Sequence, residues 1–315
     1  MTKNPAFDPE PLTFNCKNGF LNLHKPADWT SHDCVAQVRR LLKTKKVGHG
    51  GTLDPLATGV LPLAVGRATR LLQYLPSNKA YRAIVRFGVT TDSDDLEGQI
   101  VMQQNAAHLQ WDQVVAALPQ FIGTLEQTPP MYSAVRVQGK RLYDLARKGK
   151  TADIPVRTVT IDKIESVLWQ PGEHPEITLD ITCGTGTYIR SIARDLGATL
   201  GTGATLASLM RTQSSGFSLD DSLTLETVEA QMVNETLCLV PPGKALQSLS
   251  SVSLNAEESR RWCMGQKRVF SDGGHPYQTP LRVLNTAGNF LGIGELQTRD
   301  DATILIPKRV YEAID

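Results

Sequence analysis

The chain has 315 residues, 41% hydrophobic and 21% charged, enough to bury a substantial core in one large domain or two unequal ones. No apolar run approaches membrane-spanning length, and the first eighteen residues lack the basic start and apolar stretch of a secretory signal, so a cytoplasmic location is expected. Five scattered cysteines (Cys16, Cys34, Cys183, Cys238, Cys263) form no C-x-x-C pair, which argues against both a disulfide framework and a zinc site.

Taken in chain order, residues 20–24 (FLNLH) predict a short strand. Thr30 and Asp33 make a T-x-x-D capping box that opens a helix over 31–43, with Val35, Val38, Leu41 and Leu42 buried and Arg39, Arg40 and Lys43 outward. The following segment, GHGGTLDPLATG over 48–59, holds four glycines and a proline, and must be a structured loop rather than helix. A helix resumes near Arg67, with Ala68, Leu71 and Leu72 at helical spacing. Residues 81–87 then alternate as a half-buried strand, placing Tyr81, Ala83, Val85 and Phe87 on one face and the arginines on the other. Trp111, Val114, Val115 and Leu118 predict a helix, and Ile177, Leu179, Ile181 and Cys183 share one side of a strand. A helix with Ile189, Ile192, Ala193 and Leu196 inward follows from Thr187, carrying Arg190 and Arg194 four apart. After the loop-like 240–251 only short strands are expected, at 283–284, 290–293 and 303–306. Strands and helices without regular alternation predict an α+β fold. The expected division is an N-terminal segment over 1–18, a larger domain over 19–243 and a small β-rich domain over 244–315.

The net charge of +1 hides an uneven distribution. Between residues 36 and 86, ten Lys/Arg stand against one acid, Asp54. A second basic stretch (Arg136, Lys140, Arg141, Arg147, Lys148, Lys150, Arg157) is opposed only by Asp144 and Asp153. Either run alone reads as a solvated surface; two runs flanking an isolated carboxylate point to a polyanionic partner.

Glycines on both sides of Asp54 allow another backbone to approach it closely. Leu53-Asp54-Pro55 also has a plain reading as a turn, because Asp before Pro favours one. The loop lacks the G-K-[ST] ending of a nucleotide-binding P-loop. Asp92, Asp94, Asp95 and Glu97 resemble a calcium loop only superficially, since Leu96 stands where a ligand is needed, and they read as a solvated acidic turn. His49, Tyr81 and Arg190 each admit a structural role: a hydrogen-bonded histidine, a core tyrosine, a solvated helix arginine.

Residues 48–70, GHGGTLDPLATGVLPLAVGRATR, closely resemble the catalytic motif of TruB-type pseudouridine synthases. HKPADWTSHD (24–33), KAY and FGVTTDSDDLEG (79–98), CGTGTYIRSIARDLG (183–197) and LMRTQSSGFSL (209–219) follow in that family's order. The resemblance covers the chain from Gly19 onward. It departs at Asp28 and Ser215, where the family commonly has glycine. It implies a mixed-sheet catalytic domain followed by a small RNA-binding module similar to a PUA domain. It further implies that Asp54 is the essential carboxylate, either attacking C1′ of the ribose or removing a sugar proton. By the same resemblance Arg190 pairs with Asp54 and keeps it ionised, Tyr81 stacks on the target base, and Leu209 lines the base pocket. His49 enters the T loop where the flipped base had been, and Lys25 and Arg67 contact RNA. The implied substrate is uridine 55 in the T arm of tRNA, handled by a monomer without metal, cofactor, membrane or obligate protein partner.

Two rival readings use the same residues. A tRNA-binding chaperone needs the basic surfaces and not the Asp54, Tyr81 and Arg190 set. A glycoside hydrolase needs a second carboxylate paired with Asp54, in surroundings that are poor in acids.

Overall fold

The computed structural model describes residues 17–133, 135–137, 139–143, 153–270, 277–299 and 302–312. Most of the segment expected over 1–18, with Cys16, and Arg147, Lys148 and Lys150 of the second basic stretch lie outside the described residues.

A nine-stranded mixed sheet forms the larger part. It contains β1 (Gly19–Lys25), β2 (Val47–His49), β3 (Thr58–Val65), β4 (Lys79–Phe87) and β7 (Gly123–Gln127). The strands β10 (Arg157–Gln170), β11 (Glu176–Cys183), β12 (Ala204–Ser214) and β13 (Phe217–Ser218) complete it. The order is β1-β3-β12-β4-β11-β10-β7, with β2 added to β3 and β13 to β12. The β3–β12 contact is parallel and the other pairings are antiparallel. Two small hairpins stand apart, β5 (Val89–Thr91) with β6 (Ile100–Gln103), and β8 (Arg136–Val137) with β9 (Lys140–Arg141).

The strands β1 and β3 are buried on both faces, which explains their near-continuous apolar sequences. Leu21, Leu23, Leu61 and Leu63 point into one core, shared with the helices Ser31–Leu41 and Ile189–Thr199. Phe20, Val60 and Ala64 point into another, shared with Leu246, Phe290 and Ile293 from the end of the chain. The first helix begins where the capping box places it: the Thr30 hydroxyl accepts from the Asp33 amide and Asp33 accepts from the Thr30 amide. The element after β3 is a 3-10 helix, Gly66–Tyr74. The alternation in β4 holds, with Tyr81, Ala83, Val85 and Phe87 all buried.

The C-terminal sheet has five strands in the order β14-β16-β17-β18-β15, namely β14 (Ser251–Leu254), β15 (Arg268–Val269), β16 (Pro280–Asn285), β17 (Phe290–Arg299) and β18 (Ala302–Val310). Its core gathers around the buried Trp262, whose indole donates to the Leu291 carbonyl. The fold is α+β, with a mixed sheet and helices followed by this β-rich unit. Among the described residues no helix is long and apolar enough to cross a membrane.

The two departures from glycine fall where glycine is conformationally favoured: Asp28 has φ 63° and Ser215 φ 57°. Asp tolerates the left-handed region better than Ser does. Ser215→Gly is therefore expected to raise unfolding stability by about 1 kcal/mol, relief of strain outweighing the greater chain freedom glycine gives the unfolded state. Chemical denaturation checks this; an unchanged or lowered midpoint would mean the buried Ser215 side chain contributes more than its backbone costs.

Candidate active site

The loop between β2 and β3 presents Asp54, and its neighbours are clamped from the HKPADWTSHD segment. Ser31 Oγ accepts from the Leu53 amide at 2.8 Å and donates to the Leu53 carbonyl at 3.2 Å. On the other side of Asp54, the Pro55 carbonyl accepts from the Asp28 amide at 3.0 Å and from Lys25 Nζ at 3.0 Å. Lys25 is wholly buried, and its ammonium also donates to the carbonyls of Pro26 and Trp29. This corrects the expectation of an RNA contact at Lys25: a cation sealed under three carbonyls fixes the loop and offers solvent no charge. Gly59, where β3 begins, has φ 95°, and a Cβ there would lie 2.3 Å from the Arg211 carbonyl oxygen, so only glycine lets β3 approach β12 this closely.

Behind Asp54 stands Arg190, on the first turn of the Ile189–Thr199 helix and only 4% exposed. Its guanidinium reaches Asp54 at 3.0 Å and Asp95 at 3.1 Å, and donates to the carbonyls of Ser93 and Tyr132. The Asp54 side chain keeps 36% of its surface exposed, against 5% for Arg190, so a carboxylate open to solvent is backed by a buried cation. Burial pushes the Asp54 carboxyl above its ordinary pKa, with Arg190 opposing and Asp95 adding to the rise. Arg190 therefore limits the cost of ionising Asp54 without cancelling it.

The acidic segment 92–97 is a correction in part: Asp92 and Glu97 are exposed, as in a solvated turn, but Asp94 and Asp95 are drawn inward. Asp95 is 2% exposed and pairs with Arg190 while accepting from Ser93 Oγ and the Glu97 amide. Asp94 pairs with Arg194 at 2.9 Å. These acids are internal counter-ions, a role visible only once the 189–199 helix lies across them. Among the described residues no cluster of His, Cys, Asp and Glu is arranged to hold a metal.

Tyr81 is buried in β4, directly across from Arg211 in β12. Burial raises the pKa of its hydroxyl while the Arg211 guanidinium pulls the other way. Arg211 is fully buried and donates to the carbonyls of Val60, Thr52 and Gly51. Sequence reasoning did not single it out, since an arginine in LMRTQ carries no sign of burial. Leu209, two residues earlier, lies across from Ala83 and packs in the same core as Tyr81 and Leu53.

His49 ends β2, and its buried Nδ1 has no partner among the described residues. The His32 ring meets it edge-on with centroids 5.4 Å apart. Burial, then His32 and Arg211, lower its pKa and favour the neutral ring. Arg67 is not part of this cluster. It follows the far end of β3, about 20 Å along the strand from the Asp54 loop, and donates to the Tyr311 carbonyl at the junction with the C-terminal sheet. Of the basic run, Arg82 and Arg86 are ion-paired across the sheet with Asp180 and Glu176.

A family model described as TruB family pseudouridylate synthase, N-terminal domain, matches residues 39–189. Models of the tRNA pseudouridylate synthase B C-terminal domain and of the pseudouridine synthase II TruB C-terminus match 190–248 and 250–311. The tRNA pseudouridine synthase B of Gloeothece citriformis is 56% identical over 93% of this chain and 96% of its own length. That of Synechocystis sp. is 51% identical over 93% of this chain and 99% of its own. Among solved structures, a Cbf5-Nop10-Gar1 complex contains a chain with the same fold: TM-score 0.70, 24% identity, 94% of this chain and 85% of the other. With matches to consecutive models and relatives of this similarity over nearly its full length, the chain belongs to the TruB family of pseudouridylate synthases.

Proposed function

We propose that this chain converts uridine 55 in the T arm of tRNA to pseudouridine, with Asp54 as the catalytic carboxylate. The observation that carries the reading is the solvent-facing Asp54 carboxylate held at 3.0 Å by a buried Arg190, with its loop held by Arg211, which stands directly across the sheet from the buried Tyr81. Relatives sharing more than half their residues with this chain carry the name tRNA pseudouridine synthase B.

The reaction rearranges one nucleotide without adding or removing atoms. The N1–C1′ bond breaks, uracil turns over, a C5–C1′ bond forms, and the C5 proton is lost while a ring nitrogen gains one. A carboxylate at Asp54 serves either route to bond cleavage, adding to C1′ or accepting a proton from the sugar. Arg190 acts by its charge and by holding the carboxylate in place, not as an acid or base, because a guanidinium does not release its proton. Tyr81 holds the freed base by its ring face, and Leu209 closes the apolar side of the pocket. Reaching the base requires flipping it out of the stack, at a cost of a few kcal/mol that contacts elsewhere in the RNA offset. A neutral His49 suits insertion into the vacated position, since a desolvated imidazolium there would be costly. Basic side chains of the C-terminal unit, 244–315, among them the exposed Arg260, Arg261 and Lys267, extend the RNA surface in this reading.

The test incubates an unmodified tRNA transcript with the protein and maps pseudouridine by carbodiimide labelling and primer extension. A stop at position 55 is expected. Binding without modification would replace this reading with a chaperone, modification elsewhere would move the substrate site, and release of free uracil would make the protein a hydrolase.

A further inference from the structure

Two lysines near Asp54 are in opposite situations. Lys25 is saturated by three carbonyls. Lys79 opens β4, two residues before Tyr81 on the same face of the strand. It is half-buried, and among the described residues its ammonium has no hydrogen bond or ion pair.

Its surroundings make that unusual. A carbon placed on Gly51 as a Cβ would stand 3.6 Å from Lys79 Nζ and 3.8 Å from Arg211 Nη1, so two cations converge on one point three residues before Asp54. Arg211 directs its donors at the carbonyls of Gly51, Thr52 and Val60. Cys183 opposes Lys79 in the sheet, but burial raises that thiol's pKa to about 11, so it is neutral at physiological pH and offers no counter-charge. Burial, then Arg211, lower the pKa of the Lys79 ammonium. A cation partly withdrawn from water, beside another cation and without a carboxylate partner, is unfavourable in the free protein and is relieved when an anion arrives. Glycine at 51 leaves the approach free of a side chain.

We propose that Lys79 binds a backbone phosphate adjoining the target uridine, anchoring the flipped nucleotide between Tyr81 and Asp54. This rests on the functional reading above and adds a site to it. An ammonium suits the task as a mobile point charge, where the guanidinium of Arg211 is committed to the protein. The contact lies closer to the reacting nucleotide than any phosphate contact of the outer basic surface, so it also restrains the sugar whose C1′ must meet Asp54.

The experiment uses the full-length protein, a T-arm stem-loop RNA, and Lys79→Met and Lys79→Arg. Affinity is measured from low to moderate salt, together with kcat and KM for pseudouridine formation. Lys79→Met is expected to weaken binding roughly tenfold at low salt, as for loss of one charge-assisted contact. It should also reduce the slope of log affinity against log salt by about 0.7 to 0.9, with Lys79→Arg recovering most of both. A neutral methylphosphonate at one of the two linkages flanking the target uridine should reproduce the loss with unaltered protein, and Lys79→Met should add nothing on that RNA.

Three results would overturn the proposal: an unchanged salt slope in Lys79→Met, indifference of the unaltered protein to both neutral linkages, or multiplicative losses when variant and modified RNA are combined. A fall in kcat alone, with affinity and salt slope unchanged, would likewise overturn the phosphate contact and place Lys79 in the chemical step. Should Lys79→Met fail to fold, the neutral linkages with unaltered protein still decide. If the unaltered protein binds the RNA without modifying it, the functional reading fails separately, while the binding arms still report on Lys79.

Discussion

Asp54→Asn is expected to reduce pseudouridine formation by about 10⁴-fold or more while tRNA binding and folding persist. The magnitude is that of removing a group that acts directly at the reacting carbon, for which no neighbour substitutes. Among the described residues the other acid paired with Arg190 is Asp95, which is buried, meets the other terminal nitrogen of the guanidinium and is already committed to Ser93 and Glu97. Asparagine keeps the size of the side chain, and Arg190 keeps Asp95 as a counter-ion. Stability should not suffer. Because burial raises the Asp54 carboxyl, the ionised form weighs against folding, increasingly as pH rises from the ordinary aspartate range through the raised folded value. A neutral residue removes that burden at neutral pH. Activity has the opposite dependence: it requires the carboxylate, so it is lost as pH falls through the raised value, and the acid limb of the rate profile should lie above the ordinary aspartate range. Single-turnover rates across pH, beside thermal denaturation of both proteins, measure the two effects. A variant retaining a tenth of the rate would remove Asp54 from the chemistry.

Much of this site was legible because its signals are local. The glycine-rich loop around Asp54, the Thr30–Asp33 capping box and the alternation of β4 each lie within a dozen residues. Partnerships across the fold were not legible. Asp95 and Arg190 are 95 positions apart, and nothing near either marks it as buried. Sequence pattern takes an acid in TTDSDDLEG for a solvated one, since the cost of burying it is met by a cation on a distant helix. The same applies to Arg211, whose partners at Gly51, Thr52 and Val60 come from another strand and its loop. The strands β10 and β12 escaped for a different reason. Bulges at Ile161/Lys163 and Ser166/Leu168 in β10, and at Leu206/Ser208 and Arg211/Gln213 in β12, shift the two-residue period part-way along. The buried positions of β10 run Val159, Ile161, Ile164. A pattern that changes phase within a strand fits neither template.

The second large effect is expected at Arg190, where one guanidinium serves Asp54, Asp95 and the carbonyls of Ser93 and Tyr132. Arg190→Met leaves Asp95 buried without a cation, and breaking such a pair by removing one partner costs about 3–5 kcal/mol of stability. Turnover should fall by about 10²- to 10³-fold, since the Asp54 carboxylate loses both its orientation and its compensating charge. Arg190→Lys retains the charge but lacks the fork that reaches two carboxylates together, so it should recover stability in part and turnover less. The direction of the pH effect separates electrostatics from general disruption. Arg190 lowers the Asp54 pKa and Asp95 raises it. Removing Arg190 should therefore move the acid limb to higher pH, whereas Asp95→Asn should move it to lower pH, even though both substitutions weaken the same buried cluster. If both limbs moved the same way, or neither moved, the pairing would be a structural brace and the charge on Asp54 would be set elsewhere.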